Sequence, residues 1–553
     1  MRKMQVTAFA LIFLSVFAEV SCTKSVSAPT IPAPSPADEG EPVDGDWIVS
    51  RLPAEPAHLN PLLDTSDAYA AQMTEAVFES LLERNYETLE LEPLLAESYE
   101  ISEDHLTYTF KMRKDATFSD GVPVTTRDVL FSFDTVRNPK NETVDLRNYY
   151  QDVEKAELLD DYTIRFTCNK VYFQHLVALG GLLVFPQHIY GTGDFNTHAN
   201  NRRPVGSGPY VFDSWETNQQ IVFARNDHYW RKDNRPHTLR RVYKIIVDDN
   251  AAFQVLERQE LDMMGMMPEQ WVNRANTPEF RAKFNKYEYW APSGYIGSYS
   301  YIAWNLRNPR FQDKRVRRAL TMLLNRQLIL DKIFYGLGRV VSGGAASQSS
   351  EYDATIPPWP FDPEGAKRLL DEAGWVDSDR DGVRDKDGVA FTFEFLMPAG
   401  SPEVEQMATV FKEELERAGI RMIIRPLEWA TFIQNLTARK FDAVTLSWAI
   451  PVDQDPYQVW HSSQVDKGSN YPGFKNEEVD RLLEQARTEF DREARNKLYK
   501  RWHAILHEEQ PYTFLFHRKV LVAVDKRFAN VRVHPMGLDQ REWWAPKPLQ
   551  RYH

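Results

Sequence analysis

The chain has 553 residues, with 66 Lys and Arg against 79 Asp and Glu, a formal charge of −13, 42% hydrophobic residues and two cysteines. Such a length packs two or three domains. An acidic chain with no long basic run is not a general nucleic-acid binder, because that role needs a cationic stripe to displace counterions. A disulfide-stapled scaffold is excluded by the cysteine count. The 33 prolines and 14 tryptophans suit clefts walled by flat, rigid side chains.

In chain order, Arg2 and Lys3 precede an apolar stretch from Val6 to Phe17 and then Ala18-Glu19-Val20-Ser21-Cys22. This reads as a signal peptide over residues 1–22, and the apolar run falls well short of the roughly 20 residues of a membrane span. A small residue directly before a cysteine suits a lipoprotein signal peptidase, so Cys22 is expected to carry a lipid. Glu19 stands where an aliphatic residue is usual, and a plain secretory signal is the alternative. Residues 23–45, with Pro29, Pro32, Pro34, Pro36 and Pro42, read as a flexible tether.

From Asp46 onward helical and strand patterns alternate, so the class is mixed α and β. Leu106, Tyr108, Phe110 and Met112 alternate with polar residues and predict a half-buried strand. Thr125 with Asp128 predicts a capping box. Ile164, Phe166 and Cys168 share the apolar face of another strand, which makes Cys168 an inert core thiol. Gly206-Ser207-Gly208 precedes Pro209 and a strand pattern, and so reads as a turn and not a phosphate loop. Val316, Ala319, Leu320, Leu323 and Leu324 predict an amphipathic helix of roughly five turns after Asp313. Asp377, Asp379 and Asp381, with Gly382 at the sixth position, resemble the start of an EF-hand loop. Gly388 replaces the bidentate glutamate, so an acidic hairpin turn is the preferred reading and calcium the weaker one. Phe391, Phe393, Phe395 and Met397 predict a further strand.

Catalytic signatures are missing. No Gly-Lys dipeptide exists for a P-loop, His507-Glu508 is followed by Glu509-Gln510-Pro511 and not by a second histidine, and no Gly-x-Ser-x-Gly elbow occurs. No catalytic residue and no cofactor is expected.

Several segments carry a resemblance. Phe118-Ser119-Asp120-Gly121-Val122-Pro123-Val124-Thr125 follows Leu59-Asn60-Pro61. Next come Pro204-Val205-Gly206-Ser207-Gly208-Pro209-Tyr210 and Leu256-Glu257-Arg258-Gln259-Glu260-Leu261-Asp262, then Asp313-Lys314-Arg315-Val316-Arg317-Arg318-Ala319-Leu320, Ala366 to Gly374, and Asn470-Tyr471 with Asn476 and Asp480. In this order they resemble the family 5 extracellular solute-binding proteins, the peptide, dipeptide and nickel receptors of ABC importers. The resemblance implies an α/β, bilobed periplasmic-binding-protein-like fold of the large type II kind, with an additional α+β domain. Lobe 1 is then expected at 46–88, 205–297 and 512–553, the extra domain at 89–204 and lobe 2 at 298–511. It also implies a monomeric, lipid-anchored periplasmic or cell-surface receptor that captures oligopeptides or dipeptides between its lobes and delivers them to permease subunits.

In peptide-binding members an aspartate shortly after a tryptophan pairs with the peptide's α-ammonium. Here Pro451 stands three residues after Trp448, and Asp453 is the candidate substitute, with a turn aspartate as the plain alternative. Trp448 and Tyr457 are candidate pocket walls, and Asn470 and Tyr471 lie in a loop where the Asn470 amide offers a donor and an acceptor to a peptide backbone. The proline at 451 and the many tryptophans keep a non-peptide ligand open, an oligosaccharide or a chelated metal such as nickel. A non-transport surface protein or enzyme is the remaining alternative.

Overall fold

The computed structural model describes residues 40–63, 68–291 and 299–552. Cys22 and residues 23–39 of the expected tether lie outside them. Two large sheets organise the chain. The first orders its seven strands as Phe284–Tyr289, Val520–Asp525, Met263–Gly265, Trp47–Leu52, Arg240–Ile245, Gln220–Arg225 and Tyr210–Glu216. The second orders six as Gly338–Val340, Tyr512–Arg518, Tyr299–Trp304, Ala443–Trp448, Thr392–Pro398 and Arg421–Leu427. These sheets are the cores of two lobes. A four-stranded antiparallel sheet over Ala96–Ile101, Thr107–Met112, Thr163–Cys168 and Val153–Asp160 builds the extra domain.

Local chemistry explains the elements. Thr392–Pro398 runs parallel to Arg421–Leu427 because the helix Pro402–Arg417 carries the chain back over the sheet, burying Met407, Phe411 and Leu415. Proline at the first helical turn supplies a preset φ where no N–H is needed. The helix Thr126–Arg137 starts as the sequence predicts: the Thr125 N–H donates to Asp128 Oδ2 at 2.9 Å. Cys168 is buried as a free thiol, and burial pushes its pKa up to about 12. The expected five-turn helix after Asp313 is shorter, covering Lys314–Met322, and a second helix covers Arg326–Lys332. Asn325 breaks it, since its side chain accepts the Leu328 N–H at 3.0 Å and starts a new helix direction. The apolar spacing continues through Leu323 and Leu324 regardless, which is why periodicity alone overruns.

The family-like segments prove to be joints of the scaffold. The Ser119 N–H donates to the Gly206 carbonyl at 2.9 Å, so the first two meet in space. At Gly206 an added Cβ would lie 2.1 Å from the Val77 carbonyl oxygen, so only glycine permits that approach. Asp262 is fully buried, accepts the Val49 N–H at 2.8 Å, and with Asp46 brackets the Arg527 guanidinium. The third segment thus staples the first strand of lobe 1 to the C-terminal region.

The chain crosses between lobes twice, from Phe284–Tyr289 to Tyr299–Trp304 and from Tyr512–Arg518 through Lys519 to Val520–Asp525. Residues 512–518, expected in lobe 1, pair instead with Tyr299–Trp304 and Gly338–Val340 in lobe 2. Both strands around Lys519 are almost uniformly buried, so composition carries no mark of the change of sheet.

Candidate ligand-binding site

The strand Ala443–Trp448 ends by delivering Trp448 to a ladder of parallel rings. Tyr512 and Tyr301 stack at 4.0 Å, Tyr301 and Trp448 at 6.1 Å, and Trp448 and Tyr471 at 6.1 Å with planes 5° apart. Arg439 caps the outer face of Tyr471 at 4.7 Å. Tyr301 and Tyr512 are fully buried and anchor the ladder, while Trp448 and Tyr471 are half-buried. The indole of Trp448 donates to the Tyr512 hydroxyl at 3.3 Å, which fixes its plane.

Asn470 is not available to a ligand. It is fully buried, its amide donates to the carbonyls of Phe474 (2.8 Å) and His461 (3.2 Å), and its oxygen accepts the Phe474 N–H at 3.0 Å. The amide that could have served a peptide backbone holds together the loop it belongs to, because burial makes every unmade bond costly.

Asp453 has a partner within the chain: Arg84 Nη2 donates to Asp453 Oδ2 at 2.8 Å. The Gln174 amide donates to the Asp453 carbonyl. Two residues on, Asp455 accepts the Tyr172 hydroxyl at 2.7 Å, faces Arg487 Nε at 3.0 Å, and accepts the N–H of Tyr457, the first residue of the short helix Tyr457–Trp460, at 3.1 Å. Burial and the Asp455 charge hold the Tyr172 hydroxyl far above its usual range. Tyr457 stacks on His461 at 4.1 Å and its hydroxyl lies 3.3 Å from Ser463 Oγ. Arg84, Tyr172, Gln174 and Arg487 carry no sequence signal, since Arg84 meets a carboxylate 369 positions away.

Two other regions are set apart by their own bonding. A polar cavity of about 420 Å³ is walled in part by Glu83, Arg84, Arg231, Asp539 and Arg541, all on the lobe 1 side. Several of its charges are paired with one another: Arg231 with Glu83, and Arg541 with Asp539 at 2.8 Å and Glu83 at 3.1 Å. In the acidic loop, Asp377, Asp379 and Asp385 can bring one oxygen each within 4.8 Å of one another. Asp381, the third carboxylate expected there, instead accepts the Val383 N–H at 2.7 Å. Asp377 accepts from Gly382, and Asp385 from the Ser378 N–H and hydroxyl. The loop is an Asx-type turn held by its own donors.

This architecture, two α/β lobes joined by two crossings with an inserted domain, is that of a solute-binding protein. The signature of the bacterial extracellular solute-binding proteins, family 5 (Middle), matches residues 90–470, and the chain belongs to that family. It is 31% identical over 551 residues to the oligopeptide-binding protein AppA of Bacillus subtilis, covering 97% of this chain and 99% of that one. The structure of AppA from Bacillus subtilis in complex with a nonapeptide superposes with a TM-score of 0.77 at 29% identity, over 92% of this chain and 100% of the other. NikZ of Campylobacter jejuni with Ni(L-His) gives a TM-score of 0.76 at 25% identity, over 90% and 99%. Family members are extracellular binding proteins, and no helix among the described residues is long and apolar enough to cross a membrane.

Proposed function

We propose that this chain is the peptide receptor of an ABC importer, capturing oligopeptides between its lobes by closure and handing them to permease subunits. The observation that carries the reading is the likeness to an oligopeptide-binding protein over essentially both full lengths, where the structure of that relative holds a nonapeptide. On this reading lobe 1 comprises 46–88, 205–291 and 519–552, the extra domain 89–204 and lobe 2 299–518. The half-buried Trp448 and Tyr471 offer flat ring edges to side chains of an extended peptide, with Tyr457 nearby. The main chain is held by backbone groups, since Asp453 is already matched by Arg84. The receptor acts as a monomer tethered through acylated Cys22.

Calorimetric titration with peptide libraries of defined length tests the proposal. Saturable binding by one length class, with a thermal midpoint that rises with peptide concentration by mass action, is expected. Free and N-acetylated forms of a binding peptide are expected to differ less than about threefold in Kd, because an ammonium would have to displace a guanidinium already bonded to Asp453. A tenfold or larger loss on acetylation would restore Asp453 as the ammonium anchor. A chelated metal is the second reading, favoured by the likeness to NikZ. Binding of nickel–histidine with no response to any peptide would replace the first reading by the second.

A further inference from the structure

Lobe 2 is joined covalently to the rest of the chain only at the two crossings, yet a second set of contacts bridges the bodies far from them in sequence. Its centre is Tyr172-Phe173-Gln174, a stretch of the extra domain that is neither strand nor regular helix and is nonetheless buried. Tyr172 donates to Asp455, Gln174 to the Asp453 carbonyl, and the Phe173 N–H to the Arg487 carbonyl at 3.0 Å. The Arg487 guanidinium lies beside two rings, 4.4 Å from Tyr172 of the extra domain and 4.4 Å from Tyr457 of lobe 2. Arg495 covers Phe173 at 4.1 Å, and His105 stacks on Phe490 at 3.8 Å. Arg84 adds the ion pair to Asp453, with both side chains less than one-fifth exposed (18% and 17%).

We infer that this interface is a latch that holds lobe 2 against the extra domain and against the Leu82–Arg84 strand of lobe 1 independently of any ligand, and that Asp453 and Asp455 are its carboxylates. Both partners of every pair belong to the chain itself, so the closed arrangement gains these bonds whether or not the cleft is filled. The largely buried Arg84–Asp453 pair is poorly screened by salt, and a guanidinium beside two rings keeps those contacts without needing water. The exposed Arg492–Glu90 pair at 3.5 Å contributes little by comparison. The latch therefore sets the fraction of molecules open to ligand entry, a property separate from which ligand enters.

Spin labels placed by Gln254→Cys and Gln406→Cys, both exposed and on opposite lobes, report the interlobe distance by pulsed dipolar spectroscopy. A Cys22→Ala background leaves the buried Cys168 as the remaining native thiol. Without added peptide, a short-distance population is expected. Arg84→Gln and Tyr172→Phe, separately, are each expected to lower the closed-to-open ratio about tenfold, the loss of one charge-assisted hydrogen bond. Adding Asp453→Asn to Arg84→Gln should change nothing further, because both remove one interaction. Far-UV circular dichroism establishes that the variants are folded, and Arg487→Lys, which keeps the charge but loses the planar group beside both rings, gives an independent opening variant. One and the same distance distribution in the parent and all variants would overturn the latch. Because the measurement uses no ligand, that failure is distinct from a failure of the peptide reading.

Discussion

Glu79 shows what a single buried group contributes to the behaviour of lobe 1. Its carboxylate is buried and accepts from the Tyr229 hydroxyl at 2.6 Å and the Trp230 indole at 2.8 Å, and among the described residues no cationic side chain is bonded to it. Desolvation raises its pKa from 4.5 to about 7. The folded state therefore holds this proton more tightly than the unfolded chain does. The resulting stability is complete below about pH 4.5 and is lost as the pH rises through about 7, a change on the order of 3 kcal/mol. Glu79→Gln can keep both contacts, because the amide oxygen accepts from Trp230 and the amide nitrogen donates to the Tyr229 hydroxyl. Urea midpoints at about pH 5 and about pH 8 are expected to show the variant gaining on the parent as pH rises. A constant difference between the two would assign Glu79 no titration in this range. At the same scale, Asn470 shows where residue type misleads: an amide in a loop looks ligand-ready, and only its three bonds to Phe474 and His461 reveal that it is spent.

At the scale of elements, strand alternation over 106–112 and 391–397 and the Thr125 cap were legible because each is decided by neighbours a few residues away. The overrun of the helix after Asp313 has the same origin, since Asn325 redirects the chain without interrupting the apolar spacing. The acidic loop is the element whose reading is open to a direct measurement. Its carboxylates are bonded to Gly382, Val383 and the Ser378 N–H and hydroxyl, so strong chelator is expected to leave the thermal midpoint unchanged. A fall of several degrees would mean that a bound cation contributes to stability.

For the whole molecule, membrane attachment and closure are the two large-scale properties proposed. If Cys22 carries the lipid, Cys22→Ala is expected to move the protein from the membrane fraction to the soluble one, as loss of an acyl anchor removes the only apolar attachment proposed here. Unchanged partitioning of the variant would refute acylation as the anchor. Closure would bring together two sheets that the chain joins between Tyr289 and Tyr299 and again at Lys519.

The α/β class and the family were readable from the chain because the family-like segments are short runs of fixed residue types, and the fold explains two of them: a glycine where an added Cβ would lie 2.1 Å from a carbonyl oxygen, and an aspartate beneath an arginine. The tertiary structure alone decided which sheet residues 512–518 join, and what Asp453 and Asn470 bind. A strand buried on both faces carries no record of its partners, and a carboxylate's partner can lie 369 positions away. Periodicity and spacing report contacts within a few turns of chain. The pairing of Arg84 with Asp453 exists only once the lobes are brought together.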